Sequence, residues 1–165
     1  MTFTKGESFV SEHQWQLERP HVLVVACSDG RLQRGVDDFL EGKLGVRDYD
    51  RIYLPGGPGA LASSGVEYVR SDLHRKEFLF LLKAHEIKSV VLLFHGPAED
   101  GPELSACADY VRCLGTYDRK RIEEVQLRDY EEIKHTLMGP LDGIDVVAYR
   151  CEVMKNLKPQ FVGLD

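Results

Sequence analysis

Short, wholly apolar runs alternate along this chain with longer stretches in which apolar residues recur every three or four positions. HVLVVAC (21–27), RIYLP (51–55) and KSVVLLF (88–94) are brief, rich in β-branched or aliphatic residues, and followed by Gly-, Pro- or Asp-containing segments. Such runs read as buried strands with loops at their C-terminal ends. IDVVAYRCEV (144–153) reads the same way, and LKPQFVGLD (157–165) adds a last strand. Between them, RLQRGVDDFLEGKLG (31–45) carries Leu32, Val36, Phe39 and Leu40 at helical spacing, with Gly45 as a stop. Residues 63–87 read as one or two helices marked by Val66, Val69, Leu73, Phe80, Leu81 and Ile87. PELSACADYVRCLG (102–115) reads as a helix with Pro102 at its first position and Gly115 after its end. RIEEVQL (121–127) is ambiguous and is read as an edge strand, while RDYEEIKHTLMG (128–139) is read as a helix closed by Gly139-Pro140.

Strands alternating with helices predict βαβ units. The expected fold class is α/β: a mostly parallel central sheet, helices on both faces, and an antiparallel C-terminal edge strand. Residues 1–165 are read as a single domain with 1–20 as a short N-terminal arm. In such sheets ligands bind beyond the carboxyl ends of the strands. Three segments fall at such ends: Cys27-Ser-Asp-Gly-Arg31, Gly56-Gly-Pro-Gly59 and His95-Gly-Pro.

The first of these is chemically dense. Cys27, Asp29 and Arg31 lie on alternate positions, so in extended chain all three face one side. Cys thiolate and His nitrogen are usual zinc ligands. If the strands ending at Cys27 and His95 are neighbours, the two side chains reach one point, with Asp29 oriented by Arg31 beside it. Each residue alone has a plain structural reading: Cys27 as core filler, Asp29 in an Asx turn, Arg31 in solvent, His95 as a packed histidine. Their convergence on one sheet edge is what favours a site.

Composition narrows the chemistry. A net charge of −6 argues against a nucleic-acid or anionic-membrane partner. No apolar run approaches the roughly 20 residues of a membrane span, and the start shows no apolar signal-peptide core, so the expected location is the cytoplasm. There the four cysteines would be reduced, and their spacing contains no CxxC pair. Cys113 and Cys151 are assigned to packing; His13, His21, His74, His85 and His135 are assigned to the surface.

CSDGR (27–31) resembles the C-x-D-x-R signature of the β-class carbonic anhydrases. The likeness continues in order and pattern through RIYLPGGPGA, EFLFLLKAHEIKSVVLLFHG and VVAYRCEVMKNLKPQFVGLD, from about residue 21 to the C-terminus. It implies a β-carbonic-anhydrase-like fold, zinc held by Cys27 and His95, catalytic roles for Asp29 and Arg31, and a homodimer. The family's H-x-x-C motif reads His95-Gly96-Pro97-Ala98 here, so the third ligand must come from elsewhere. Cys107 is favoured; Asp29, Glu99 and Asp100 are the other candidates. The second-strand loop also lacks the family's Arg and Asn.

The expected activity is reversible hydration of CO2 to bicarbonate by zinc-bound hydroxide, or hydrolysis of a similar molecule such as carbonyl sulfide. Gly57 and Ala60 are expected to line the substrate cavity. Two other readings remain open. One is a non-catalytic relative that has lost the zinc site and binds an anion, at Gly56–Gly59, or a protein partner. The other is a Cys-nucleophile enzyme, which the Asp within CSDGR disfavours by repelling an anionic substrate.

Overall fold

The computed structural model describes residues 6, 8–63, 68–138 and 143–164. Its centre is a five-stranded sheet in the order β2-β1-β3-β4-β5. The strands are β1 (Val22–Cys27), β2 (Asp50–Leu54), β3 (Ser89–Pro97), β4 (Asp145–Val153) and β5 (Pro159–Gly163). β2, β1, β3 and β4 run parallel, and β5 closes the sheet antiparallel to β4. The α/β fold class, the parallel neighbours and the antiparallel edge are therefore as the sequence pattern predicts.

Alternation along the strands divides the core. Leu23, Val25 and Cys27 of β1 share a cluster with Val90, Leu92 and Phe94 of β3. Phe78 and Leu82 of α2 (Tyr68–Ala84) cover that face, with Ile122, Tyr130 and Ile133 of α4 (Arg119–Ile133). Val24, Ala26, Val91 and Leu93 face the other way, onto Val36 and Phe39 of α1 (Gln33–Phe39) and Leu40. Phe39 also stacks on Phe161, with ring centroids 4.1 Å apart, which holds the edge strand β5 to this layer.

Helix boundaries differ from expectation in instructive ways. RIEEVQL is not an edge strand but the first half of α4. Asp118 caps that helix by accepting the Arg121 N–H at 3.0 Å. Its buried residues Ile122, Gln126, Asp129, Tyr130 and Ile133 fall on one helical face, a stripe broken in sequence by the polar Gln126 and Asp129. The helix expected over 102–115 is shorter. A 3-10 turn spans Glu103–Ser105, Ala106 and Cys107 are extended, and α3 covers Ala108–Leu114 before Gly115 at φ 71°. On α2, Val69, Leu73 and Phe80 point outward, and Ser71, Phe78 and Leu82 are the buried side. Val66 and the Gly139-Pro140 stop lie outside the described residues.

Two features set the C-terminal edge of the sheet. β3 runs past Phe94 to Pro97, so His95 is still in register with Cys151 of β4. Gly57 begins the 3-10 turn Gly57–Leu61, with φ 59°. A Cβ at Gly57 would lie 2.9 Å from the Cys27 main-chain nitrogen, so only glycine lets this turn press against the ends of β1 and β3.

Candidate metal centre

Cys27 ends β1, His95 lies near the end of the adjacent β3, and Cys107 immediately precedes α3. Their ligand atoms all lie within 4.8 Å of one another. Among the described residues this is the one group of three or more Cys, His, Asp or Glu side chains that converges in this way. All three residues are buried. The extended conformation of Cys107, φ −65° and ψ 115°, turns its chain out of the helix and into the cluster that contains Cys27. This is why α3 starts only at Ala108.

The sulfurs of Cys27 and Cys107 are 3.9 Å apart. Zinc–sulfur bonds of about 2.3 Å at a tetrahedral angle would put two sulfurs about 3.8 Å apart, so the spacing fits one ion held by both. His95 supplies a second observation. Both its ring nitrogens are buried and neither has a hydrogen-bond partner. A buried polar group without a partner is costly, and a metal on one nitrogen relieves that cost. Two thiols and an imidazole also form a donor set that zinc favours.

The thiols are electrostatically unequal. Cys27 is held far below the ordinary thiol range, mainly by the Cys107 hydrogen bond and further by His95, against the opposing effect of burial. Cys107 is pushed up correspondingly, since it keeps the proton it shares with Cys27. Cys27 is thus the first thiolate of the pair, which is the form that binds a metal.

Asp29 and Arg31 sit beside the cluster. Arg31 Nε donates to both Asp29 oxygens, at 2.9 and 3.1 Å, and Nη2 donates to Oδ2. The Arg31 main-chain N–H adds a further bond to Oδ1 at 3.1 Å. The Asp29 carboxyl is held down to about 2, chiefly by these Arg31 hydrogen bonds. The remaining fork of Arg31, Nη1, donates 2.9 Å to the Leu104 carbonyl. It thereby ties the CSDGR loop to the segment that delivers Cys107.

A cavity of about 310 Å³ opens beside Asp29, Arg31 and His95, with Leu32, Leu104 and Val153 among its apolar walls. Ala60 lies elsewhere, in a second cavity of about 190 Å³ with Arg70, Asp109 and Tyr110. Gly57 packs on the main chain of β1 and β3. Glu99 and Asp100 are exposed in the loop after β3. Cys151 is buried, and burial pushes its thiol up to about 12, as suits a packing residue. Cys113 is exposed, contrary to its assignment to packing.

Comparison with solved structures bears on the fold. The chain superposes on a carbonic anhydrase from Streptococcus mutans with a TM-score of 0.51 and 15% identity, over 94% of this chain and 88% of that one. Its fold is β-carbonic-anhydrase-like. The β-carbonic anhydrase CafA of Aspergillus fumigatus gives a TM-score of 0.49 at 14% identity, covering 90% of this chain and 77% of that one. A carbon disulfide hydrolase gives 0.48 at 13%, covering 87% and 79%. No family model matches the sequence, and no curated protein does. On this β-carbonic-anhydrase-like fold, the Cys–His–Cys cluster lies at the carboxyl end of the parallel strands, where such sheets carry their sites.

Two residues that contact this region escaped the sequence reading. Gln126 of α4 donates 3.0 Å to the His95 carbonyl, and Arg150 of β4 donates 3.0 Å to Gln126. Arg150 leaves a trace in the sequence, as a cation inside the apolar run VVAYRCEV; Gln126 is hidden in the segment misread as a strand.

Proposed function

We propose that this chain is a zinc-dependent carbonic anhydrase-like lyase that interconverts CO2 and bicarbonate. The observation that carries the reading is the buried convergence of Cys27, Cys107 and His95 around two unpartnered imidazole nitrogens. Cys27, His95 and Cys107 would hold the ion and leave one position open. When bound, zinc with one open position makes water a nucleophile at neutral pH.

The protein's own groups prepare that step. Asp29, ionised and fixed by Arg31, is a hydrogen-bond acceptor only and orients the attacking water's O–H. At so low a pKa it is too weak a base to keep the proton, so its role is orientation. Leu32, Leu104 and Val153 offer a neutral, linear substrate such as CO2 an apolar wall, and carbonyl sulfide suits the same wall. Gly57 acts by letting its turn close over the ends of β1 and β3, rather than by touching substrate.

Cys107, placed beside Cys27 and His95, would stand in for the absent H-x-x-C cysteine, which weighs against a non-catalytic relative. A homodimer and a cytoplasmic location are what the resemblance and the sequence imply; among the described residues no helix is long and apolar enough to cross a membrane.

The test is metal analysis of protein grown with zinc and purified without chelators, followed by stopped-flow CO2 hydration. One zinc per chain and measurable hydration are expected. Cys27→Ser and Cys107→Ser should each lose most of the zinc, whereas Asp100→Asn should keep it. Wild-type protein without metal would overturn the lyase and favour the non-catalytic reading.

A further inference from the structure

A histidine that binds a metal usually has its ring fixed by a hydrogen bond from the second ring nitrogen to a carboxylate, a carbonyl or water. His95 has no such protein partner on either nitrogen. What holds it is its main chain. Gln126, 1% exposed, donates its side-chain N–H to the His95 carbonyl at 3.0 Å. The amide orientation is unambiguous, because its oxygen accepts the Arg150 Nε–H at 3.0 Å and its nitrogen must therefore face His95.

Arg150 is in turn over-determined. It is 4% exposed, and Nη2 donates 3.2 Å to the Pro97 carbonyl. Nη1 lies 2.6 Å from Glu152 and 3.1 Å from Glu123, which balance its charge. Gly96 makes room for it: a Cβ there would stand 2.6 Å from Arg150 Nη2. The guanidinium thus grips the end of β3 on both sides of Gly96, directly at Pro97 and through Gln126 at His95.

We propose that Gln126 and Arg150 are positioning residues of the metal centre, fixing the His95 imidazole through its main-chain carbonyl in place of a partner on the ring. This rests on reading Cys27, His95 and Cys107 as a metal site. A buried cation and a buried amide are expensive in a packed core unless fully bonded. Among the described residues, they bond to each other, to the strand end that presents His95 and to the carboxylates that balance Arg150.

The decisive variant is Gln126→Glu. It keeps the shape and the acceptor for Arg150, and it replaces the N–H that reaches His95 with a carboxylate oxygen that repels the His95 carbonyl. Gln126→Met is the apolar companion should the carboxylate disturb folding. Ile133→Ala, a fully buried position on the same helix, controls for loss of stability alone. The full chain is stripped of metal, and zinc affinity is measured by competition with a chromophoric chelator. The visible spectrum of the cobalt-loaded protein reports the ligand set.

Substituting a residue that braces a metal ligand typically weakens metal binding about 10- to 100-fold, and that loss is expected for both Gln126 variants, with an altered cobalt spectrum. Ile133→Ala should lower the melting temperature and leave affinity and spectrum unchanged. Wild-type affinity in the Gln126 variants would overturn the proposal, as would an equal loss in Ile133→Ala. If wild-type protein itself binds neither ion, the metal-site reading fails first, and this proposal with it.

Discussion

At the scale of single residues, the Asp29–Arg31 pair has the most definite consequence. Its four hydrogen bonds hold Asp29 ionised down to about pH 2, below the ordinary carboxylate value near 3.8. Because the folded pKa is depressed, the stability the pair contributes is complete above about pH 4. It is lost as pH falls through 2. Arg31 is 65% exposed on its side chain, so solvent screens the pair and the contribution is small. Arg31→Ala should therefore be less stable than wild type at pH 5, and the difference should vanish toward pH 2. Urea unfolding at a series of pH values reads this directly; a difference that grows on acidification would contradict it. Cys27, Asp29, Arg31 and His95 could all be picked out in the sequence because each sits where an apolar run ends. Cys107 could only be nominated, since nothing local shows that its backbone leaves the helix.

At the scale of elements, α4 and the Gly57 turn matter most. α4 covers the sheet through Ile122, Tyr130 and Ile133, all essentially inaccessible to solvent. Ile122→Ala should cost about 2–5 kcal/mol in equilibrium unfolding, the range for deleting a buried aliphatic side chain. That same change on a surface edge strand, as the local pattern suggested, would cost far less, so the experiment separates the two assignments. Gly57→Ala carries two penalties. The left-handed backbone alone costs about 1–2 kcal/mol, and the added Cβ collides with the Cys27 main chain. The expected result is a lower melting temperature together with weaker zinc binding, because the collision displaces a ligand's backbone. Full zinc affinity in a folded Gly57→Ala protein would show that the turn does not set Cys27.

At the scale of the whole molecule, the metal should couple distant segments. The three proposed ligands come from β1, from β3 and from the approach to α3, with Cys27 far in sequence from the other two. An ion that binds the folded chain alone stabilises it by mass action, by about 2.7 kcal/mol at a hundred times its dissociation constant. Chelation should therefore lower the melting temperature, and added zinc should restore it, in wild type but not in Cys107→Ser. Equal melting with and without zinc would argue that the cluster does not bind it.

The sequence by itself determined the α/β class, the strand directions and the edge that carries CSDGR and His95. Short apolar runs and their glycine-rich ends are local signals, and parallel connection leaves few ways to assemble them. Only the tertiary structure decided that RIEEVQL is helical, that Cys107 turns inward, and that Gln126 and Arg150 brace His95. Those outcomes depend on which polar groups find partners once buried. Gln126 is tolerable on an inward helical face because Arg150 and the His95 carbonyl meet it there. Cys107 abandons helical geometry because Cys27 and His95 lie within reach. The His95 carbonyl and Arg150 are distant from Gln126 in sequence, as Cys27 is from Cys107, and no local pattern could have supplied them.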